Sequence, residues 1–354
     1  MRQWRRTGSS APRPPAIAEV VAPRARPAVA CPAMRAAYIE SFDADDPASV
    51  VQVGDRPEPE TPAGWVAVDV RAATLNHHDV WSARGVGLQE GQLPMILGCD
   101  AAGVDPEGRE VVVHAAVNDP AWVGPEELDP KLLLLSEGPQ GALAERVAVP
   151  AGNLVAKPPE LSFEEAACLP TAWLTAYRML FTRAEIGPGA TVLVQGASGG
   201  LSTALISLGV AAGLRVWVTG RDEARRAFAA ELGAHATFEP GARLPERVDA
   251  VMDSVGAPTF KHSLASLKRG GVLVNSGATG GRTGEVELGR LFRLNLRIVG
   301  TTMGTRAELE RLLRFCVDRD LRPEIDTVVG LGEVPAQIGR MAAGDVRGKV
   351  VVTT

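Results

Sequence analysis

Apolar and polar residues alternate with a period of two in the first part of the chain. The clearest run is residues 65–71, and other strand-like apolar runs begin at Met34 and cover residues 110–114. A period of two places alternate side chains on one face of a β-strand, and Gly and Pro separate these runs at short intervals. The pattern therefore predicts a small, irregular, β-rich domain.

Beyond residue 156 the pattern changes to that of helices and buried strands. Ser162 and Glu165 form a capping box ahead of an apolar stretch that we expect to be one helix through Phe181. Short apolar runs that alternate with helical patterns then predict six strands, at residues 191–195, 215–219, 235–238, 249–253, 271–275 and 296–300. Strands and helices in this order form a doubly wound parallel sheet, so we predict an α/β protein with a Rossmann domain.

Composition narrows the class of protein. The length of 354 residues favours two domains, and the absence of an eighteen-residue apolar run argues against a membrane span. A net charge of −5 argues against nucleic acid as a partner, because duplex binding depends on clustered Lys and Arg. The four cysteines include no C-x-x-C pair, so we expect neither disulfides nor a structural zinc site, and a cytoplasmic location.

The first 33 residues differ in composition from the rest. They contain six Arg and a single Glu, which leaves a net charge of −10 for residues 34–354. A basic, acid-poor leader is typical of a transit peptide, but several prolines interrupt any amphipathic helix and no apolar core segment follows. We expect residues 1–33 to be a disordered leader, or the result of a start codon assigned too early, with Met34 as the true first residue.

A glycine cluster follows the first strand of the predicted parallel sheet. Residues 195–202 read Gln-Gly-Ala-Ser-Gly-Gly-Leu-Ser and open an apolar helix. The helix N-terminus can receive a pyrophosphate, and Gly199 and Gly200 let the backbone approach it. Ala197 and Ser202 hold the outer positions of the G-x-G-x-x-G pattern, so the cluster could also be only a tight turn. The surrounding six-strand pattern favours dinucleotide binding.

The end of the second strand indicates which dinucleotide is bound. An acidic residue there would bind the ribose 2′-hydroxyl of NAD, but the sequence has Thr219, Gly220 and Arg221, with Arg225 one turn later. A guanidinium matches a 2′-phosphate, which predicts NADPH. The alternative is that both arginines only solvate the start of a helix, since two acidic residues are close by.

Several ordered motifs of the chain together resemble a known family. They are residues 72–81 (AATLNHHDVW), 93–103 (LPMILGCDAAG), 169–177 (LPTAWLTAY), the glycine cluster, 253–256 (DSVG), 275–278 (NSGA) and 348–352 (GKVVV). In this order they resemble the medium-chain dehydrogenase/reductase superfamily, over essentially all of residues 34–354. The resemblance implies a GroES-like β-rich catalytic domain at residues 34–156, completed by residues 299–354, a Rossmann NADP-binding domain at residues 157–298, and a homodimer.

Zinc alcohol dehydrogenases of that superfamily hold a catalytic zinc with a Cys, a His and a third Cys or Asp. The corresponding positions here are Asn76, Cys99 and Thr171, and residues 115–145 lack the four cysteines of the structural zinc lobe. A carboxamide, a hydroxyl and one thiol are a poor ligand set for zinc. The resemblance is therefore closer to the zinc-independent quinone oxidoreductases and related enal or enone reductases, and we predict no metal.

Three neighbouring residues are the predicted catalytic group: Asn76, His78 and Asp79. The resemblance places Asn76 in the nicotinamide pocket and His78 at the proton relay of the alcohol dehydrogenases. A purely structural role for His78 remains an alternative. His77 is expected to be structural. Adjacent residues on an extended chain point to opposite sides, so the two histidines are not expected to bind one metal ion.

The predicted cofactor-binding residues come from the helix start, the glycine cluster and the later strand ends. For Thr171 and Thr175, which would face the nicotinamide, ordinary helix capping is the alternative. The full set is Thr171, Thr175, Ser198, Gly199, Gly200, Leu201, Thr219, Gly220, Arg221, Arg225, Ser254, Val255, Gly277 and Ala278.

The resemblance implies an NADPH-dependent oxidoreductase that transfers hydride, without zinc, to a quinone or to the β-carbon of a conjugated enal or enone. Water or His78 would supply the proton. The enoyl-thioester reductases of the superfamily often carry a Tyr donor, and residues 76–97 contain none. The alternatives are an alcohol dehydrogenase or carbonyl reductase, and a non-catalytic NADPH-binding protein.

Overall fold

A computed structural model describes residues 33–354, so the predicted leader lies outside the described part except for its last residue. The strands are β1 Ala33–Ile39, β2 Val51–Pro57, β3 Trp65–Thr74, β4 Met95–Ile96, β5 Asp100–Val104, β6 Glu110–Val113, β7 Ala116–Val117, β8 Leu133–Leu134, β9 Arg146–Pro150, β10 Leu154–Ala156, β11 Thr191–Gln195, β12 Arg215–Thr219, β13 Ala236–Phe238, β14 Val248–Asp253, β15 Leu267–Asn275, β16 Arg297–Gly300, β17 Ile325–Gly330 and β18 Lys349–Thr353. The helices are α1 His77–Ala83, α2 Phe163–Ala167, α3 Leu174–Tyr177, α4 Gly200–Ala211, α5 Glu223–Glu231, α6 Ala257–Ser266, α7 Leu288–Arg293, α8 Arg306–Asp318 and α9 Val334–Ala343.

The six predicted strands form one parallel sheet in the order β13-β12-β11-β14-β15-β16. Its central strands are apolar at nearly every position, because both faces are covered by helices such as α4 on β11 and α6 on β14. The strand order is that of a Rossmann fold, so the predicted α/β fold class is confirmed. The main difference in length is β15, which begins at Leu267 instead of residue 271.

The β-rich part contains a three-stranded sheet, β2-β1-β4, and a seven-stranded sheet in which β3 pairs with β5, β9 and β18. The C-terminal segment supplies β17 and β18, so the last strand of the chain lies beside one of the first. Val351 of β18 is paired with Thr74, two residues before Asn76. This pairing brings the start of β18 to the predicted catalytic group.

The apolar stretch after Ser162 is helical but is not one regular α-helix. The capping box is present, since Glu165 N donates to Ser162 Oγ at 3.1 Å and Ser162 N donates to Glu165 Oε2 at 2.9 Å. After α2, however, the chain widens into π turns at Leu169–Trp173 and Arg178–Arg183, with α3 between them. Pro170 has no N–H to continue the α-helical ladder, which explains the first interruption.

Within residues 33–354, no helix has the length and apolar character needed to cross a membrane.

Candidate active site

A cleft of about 370 Å3 lies where the start of α1, the π turn, the glycine cluster and the start of β18 meet. It contains ten of the predicted site residues: Asn76, His78, Thr171, Thr175, Gly199, Gly200, Leu201, Ser254, Gly277 and Ala278. A cavity of about 490 Å3 between α6 and α7 is larger, but it contains none of them. The convergence of predicted residues, and not size, therefore identifies the candidate site.

The remaining predicted residues do not line this cleft. They are Asp79, Ser198, Thr219, Gly220, Arg221, Arg225 and Val255. Sequence reasoning also missed lining residues, the most important being Lys349 and Gly348. Both belong to the terminal motif GKVVV. Nothing in the sequence indicates that this motif folds back against the glycine cluster.

The glycine cluster is open toward the cleft on one side and packed on the other. A Cβ on Gly199 would meet no atom within 4 Å, whereas one on Gly200 would lie 2.8 Å from Lys349 Cδ. Gly348 N donates a hydrogen bond to Ser198 O at 2.7 Å, which joins the cluster to β18. The open backbone at the N-terminus of α4 fits a dinucleotide pyrophosphate, whose negative charge the helix dipole would stabilise.

At the end of β12 only one of the two predicted arginines is free. Arg225 donates to Gly344 O at 2.6 Å and pairs with Asp222. Arg221 is exposed and makes no ion pair within the described part of the chain. The hydroxyl of Thr219 is buried and donates to Gln195 Oε1 at 2.7 Å, so it is used inside the sheet.

A buried polar cluster borders the cleft beneath Asn76. Lys349 Nζ donates to Asn76 Oδ1 at 2.7 Å, to Leu75 O at 3.0 Å and to Asp100 Oδ2 at 3.1 Å. The same Asp100 oxygen accepts from Asn76 Nδ2 at 2.8 Å and from Thr74 Oγ1 at 2.7 Å. The side chains of Lys349 and Asp100 are almost completely buried. A fixed positive charge thus stands next to Asn76.

The positions at which zinc relatives hold their metal do not fit zinc in this chain. Cys99 donates its S–H to Leu135 O at 3.2 Å, and burial raises the pKa of this thiol well above its usual range, so it is not a thiolate. Asn76 is bound to Lys349, whose ammonium group would repel a metal ion. Residues 33–354 contain no group of three His, Cys, Asp or Glu side chains that could hold a metal ion.

His78 is the imidazole with defined partners in the cleft. Its Nε2 lies 3.1 Å from Ser136 Oγ, and its Nδ1 lies 3.8 Å from Glu137 Oε1. His77 also borders the cleft, where desolvation first and the charge of Lys349 second lower its pKa. His77 is therefore neutral at pH 7.

Asp79 does not reach the cleft, contrary to what a direct catalytic role requires. Its two carboxylate oxygens accept backbone hydrogen bonds, one from Asn76 N and one from Gly98 N, both at 2.8 Å. The carboxyl is fully buried, and desolvation raises its pKa. The physical reason is that Asp79 occupies the third position of α1 and turns back to fasten the start of that helix.

Two family models match parts of the chain. A model of the alcohol dehydrogenase GroES-like domain matches residues 62–159, and a model named zinc-binding dehydrogenase matches residues 200–318. The positions of Asn76, Cys99 and Thr171 lie outside the second match. A zinc-type alcohol dehydrogenase-like protein of Schizosaccharomyces pombe is 31% identical over 293 residues, which cover 75% of this chain and 84% of that protein.

Solved structures give the same result. The crystal structure of an NAD-dependent alcohol dehydrogenase has a TM-score of 0.83 and 31% identity, covering 91% of this chain and all of that one. A 2-octenoyl-CoA carboxylase reductase in complex with NADP and 2-octenoyl-CoA has a TM-score of 0.84 and 25% identity, covering 91% of this chain and 87% of that one.

The fold and the cleft define a two-domain dehydrogenase-type protein with a GroES-like and a Rossmann part. The chain belongs to the medium-chain dehydrogenase/reductase superfamily of oxidoreductases, and the predicted family is confirmed.

Proposed function

We propose that the chain is an NADPH-dependent reductase that transfers hydride, without zinc, to the β-carbon of a conjugated carbonyl compound or to a quinone. The observation that carries this proposal is the cluster of Asn76, Lys349 and Asp100, in which an ammonium group binds the side chain that, by resemblance, stands at a zinc-ligand position of the metal-dependent relatives. The cluster borders the same cleft as the glycine cluster.

The cofactor would lie along the carboxyl ends of the parallel strands. Gly199, Gly200 and Leu201 would hold the pyrophosphate, while Ser254 and Gly277 would line the path to the nicotinamide. The free guanidinium of Arg221 supports NADPH over NADH, because a 2′-phosphate is a strong partner for an unpaired Arg. Bound NADPH supplies the hydride from its nicotinamide ring.

The side chains of the cleft would border the nicotinamide, donate the proton and exclude water. Thr171 and Thr175 border the space for the nicotinamide, and the hydroxyl of Thr175 is already held by Thr171 O at 2.7 Å. His78 is the proton donor in this proposal, since its ring lies in the cleft and is oriented by Ser136. Trp81 adds an apolar wall that excludes water.

Enoyl thioesters belong among the test substrates. The Tyr donor of the thioester reductases is missing between residues 76 and 97, yet a structure similar to this chain contains NADP and 2-octenoyl-CoA. An enoyl thioester has the same conjugated carbonyl as an enal or enone. The second candidate function is an alcohol dehydrogenase or carbonyl reductase, which the S. pombe relative and the NAD-dependent structure favour by name.

The proposed function is tested by following oxidation of NADPH and of NADH with quinones, enals, enones, enoyl-CoA thioesters and saturated aldehydes. Metal content is measured on the same sample. We expect reduction of conjugated compounds with NADPH and less than a tenth of an equivalent of zinc. One equivalent of zinc, or activity confined to saturated aldehydes, would overturn the assignment. Binding of NADPH without any turnover would support a non-catalytic protein.

We also propose that the protein is a homodimer. Strand β16 is the edge of the parallel sheet, and in the described residues it pairs only with β15. Large apolar side chains are exposed around it, namely Ile298 on β16 and Leu288 and Phe292 on α7. An exposed strand edge flanked by apolar side chains favours pairing with a second copy.

A further inference from the structure

The ammonium group of Lys349 has no hydrogen left for a ligand. An ammonium carries three N–H groups, and Lys349 has three acceptors, which are Asn76 Oδ1 at 2.7 Å, Leu75 O at 3.0 Å and Asp100 Oδ2 at 3.1 Å. The group is also buried, with its side chain only 2% exposed. Lys349 therefore does not touch a substrate directly, and any effect on the reaction passes through its neighbours.

Lys349 and Asp100 together determine which way the amide of Asn76 points. Asn76 Oδ1 faces the ammonium, and Asn76 Nδ2 faces the carboxylate at 2.8 Å. The reversed amide would set its N–H groups against a cation and its oxygen against an anion, so only one orientation is stable. One of the two Nδ2 hydrogens is used by Asp100. The other has no acceptor within residues 33–354, and Asn76 borders the cleft.

We propose that Lys349 is the positioning residue of this site: with Asp100 it fixes the Asn76 amide so that the second N–H is presented to the substrate carbonyl oxygen. This inference rests on the proposed function. Hydride addition to a conjugated carbonyl places negative charge on that oxygen. A donor fixed before the reaction stabilises this charge more than it stabilises the uncharged substrate.

The backbone around Lys349 restricts the position of its ammonium group. The side-chain stem passes over Gly200, where a Cβ would lie 2.8 Å from Lys349 Cδ. The preceding Gly348 has a φ of 84°, and a Cβ there would lie 2.2 Å from Glu324 O. Its N–H is bonded to Ser198 O. A side chain at Gly348 would clash with the backbone and one at Gly200 would displace the lysine stem, so the cofactor turn and the Asn76 orientation are coupled through one lysine.

The test compares the wild-type protein with a double variant and a control variant, each with NADPH bound, and repeats the double change in an Asn76→Ala background. Lys349→Met alone leaves the Asp100 carboxylate buried without its cationic partner and risks unfolding. The double variant Lys349→Met/Asp100→Asn removes both charges and keeps an acceptor oxygen for Asn76 and Thr74. A matched control is Lys157→Met, since Lys157 is also buried, with its ammonium on Leu161 O and Glu110, outside the cleft.

We expect crystal structures of the double variant to show the Asn76 amide rotated or in two orientations. With NADPH and crotonaldehyde, kcat should fall about 100-fold or more, as for loss of one oxyanion donor, with the NADPH dissociation constant changed less than about threefold. In an Asn76→Ala background the double change should cause no further loss of kcat. Lys157→Met should lower thermal stability without changing kcat.

An unchanged Asn76 orientation in the double variant overturns the inference, as does a loss of kcat that multiplies with that of Asn76→Ala. A wild-type protein that binds NADPH but reduces none of the proposed substrates overturns the proposed function instead. In that case the crystallographic orientation of Asn76 still decides whether Lys349 positions it.

Discussion

At the scale of single residues, the proposed preference for NADPH rests on the guanidinium of Arg221. It lies exposed at the end of β12, while the neighbouring Arg225 is held by Gly344 and Asp222. We expect Arg221→Ala to raise the KM for NADPH about tenfold or more, because hydrogen bonds to charged groups contribute roughly 1.5–3 kcal/mol, and to leave the KM for NADH unchanged. Steady-state kinetics with both cofactors measure this.

Arg314→Ala is a suitable control for the cofactor experiment. Arg314 is exposed on α8, away from the cleft, and makes no ion pair within residues 33–354. Equal losses with NADPH and NADH in the Arg221 variant would contradict a contact with the 2′-phosphate.

The proton donor is the second prediction at this scale. His78→Gln keeps a polar side chain next to Ser136 but cannot act as an acid. If His78 donates the proton, kcat should fall about 100-fold or more, which is the usual contribution of a general acid, while NADPH binding is kept. Turnover and cofactor titration together separate the two effects. Full activity of the variant would assign proton donation to water.

At the scale of elements, buried cysteine thiols make the stability of the fold depend on pH. Cys168 ends α2 and Cys316 lies in α8, and burial raises the pKa of each thiol to about 12. The unfolded chain releases these protons from a reference pKa of 9.0, whereas the native chain retains them up to about pH 12. The unfolded state therefore binds fewer protons between pH 9 and pH 12, so stability falls as the pH rises through this window.

We expect the free energy of unfolding, measured in urea, to decrease above pH 9 by about 1.4 kcal/mol per pH unit for each such thiol. Cys316→Ala should make this decrease shallower, even if the variant is less stable at pH 7. Parallel pH profiles for the variant and the wild type would show that Cys316 does not contribute.

Whether a segment forms a helix or a strand could be predicted from the sequence where nearby side chains determine it. The capping box at Ser162 and the six parallel strands follow from hydrogen-bonding side chains and from apolar runs, and the structure has them. The π turns were not predictable in the same way. Pro170 indicates an interruption, but whether the chain kinks, ends or widens there depends on the packing of the helix against the cleft.

At the scale of the whole molecule, the exposed edge of the parallel sheet predicts self-association. Ile298 on β16 is 39% exposed and Phe292 on α7 is 70% exposed. A lysine at the edge would oppose pairing by its charge. We expect sedimentation to show a dimer for the wild type and a monomer for Ile298→Lys.

Val328→Lys provides the matched control for the association experiment, since Val328 is 50% exposed on β17 in the other domain. This variant should sediment like the wild type. A monomeric wild type, or dissociation by both variants, would refute an interface at β16.

The sequence by itself determined the fold class and the place of the glycine cluster, and it predicts that Asn76, Cys99 and Thr171 hold no zinc. These follow from local periodicity and from the chemistry of single side chains. Only the tertiary structure decided the composition of the site. Lys349 reaches Asn76 because β18 pairs with β3, a contact between residues more than 270 positions apart. The tertiary structure also decided that the carboxylate of Asp79, which the sequence predicted as catalytic, turns back onto Asn76 N and Gly98 N, an orientation that local spacing does not show.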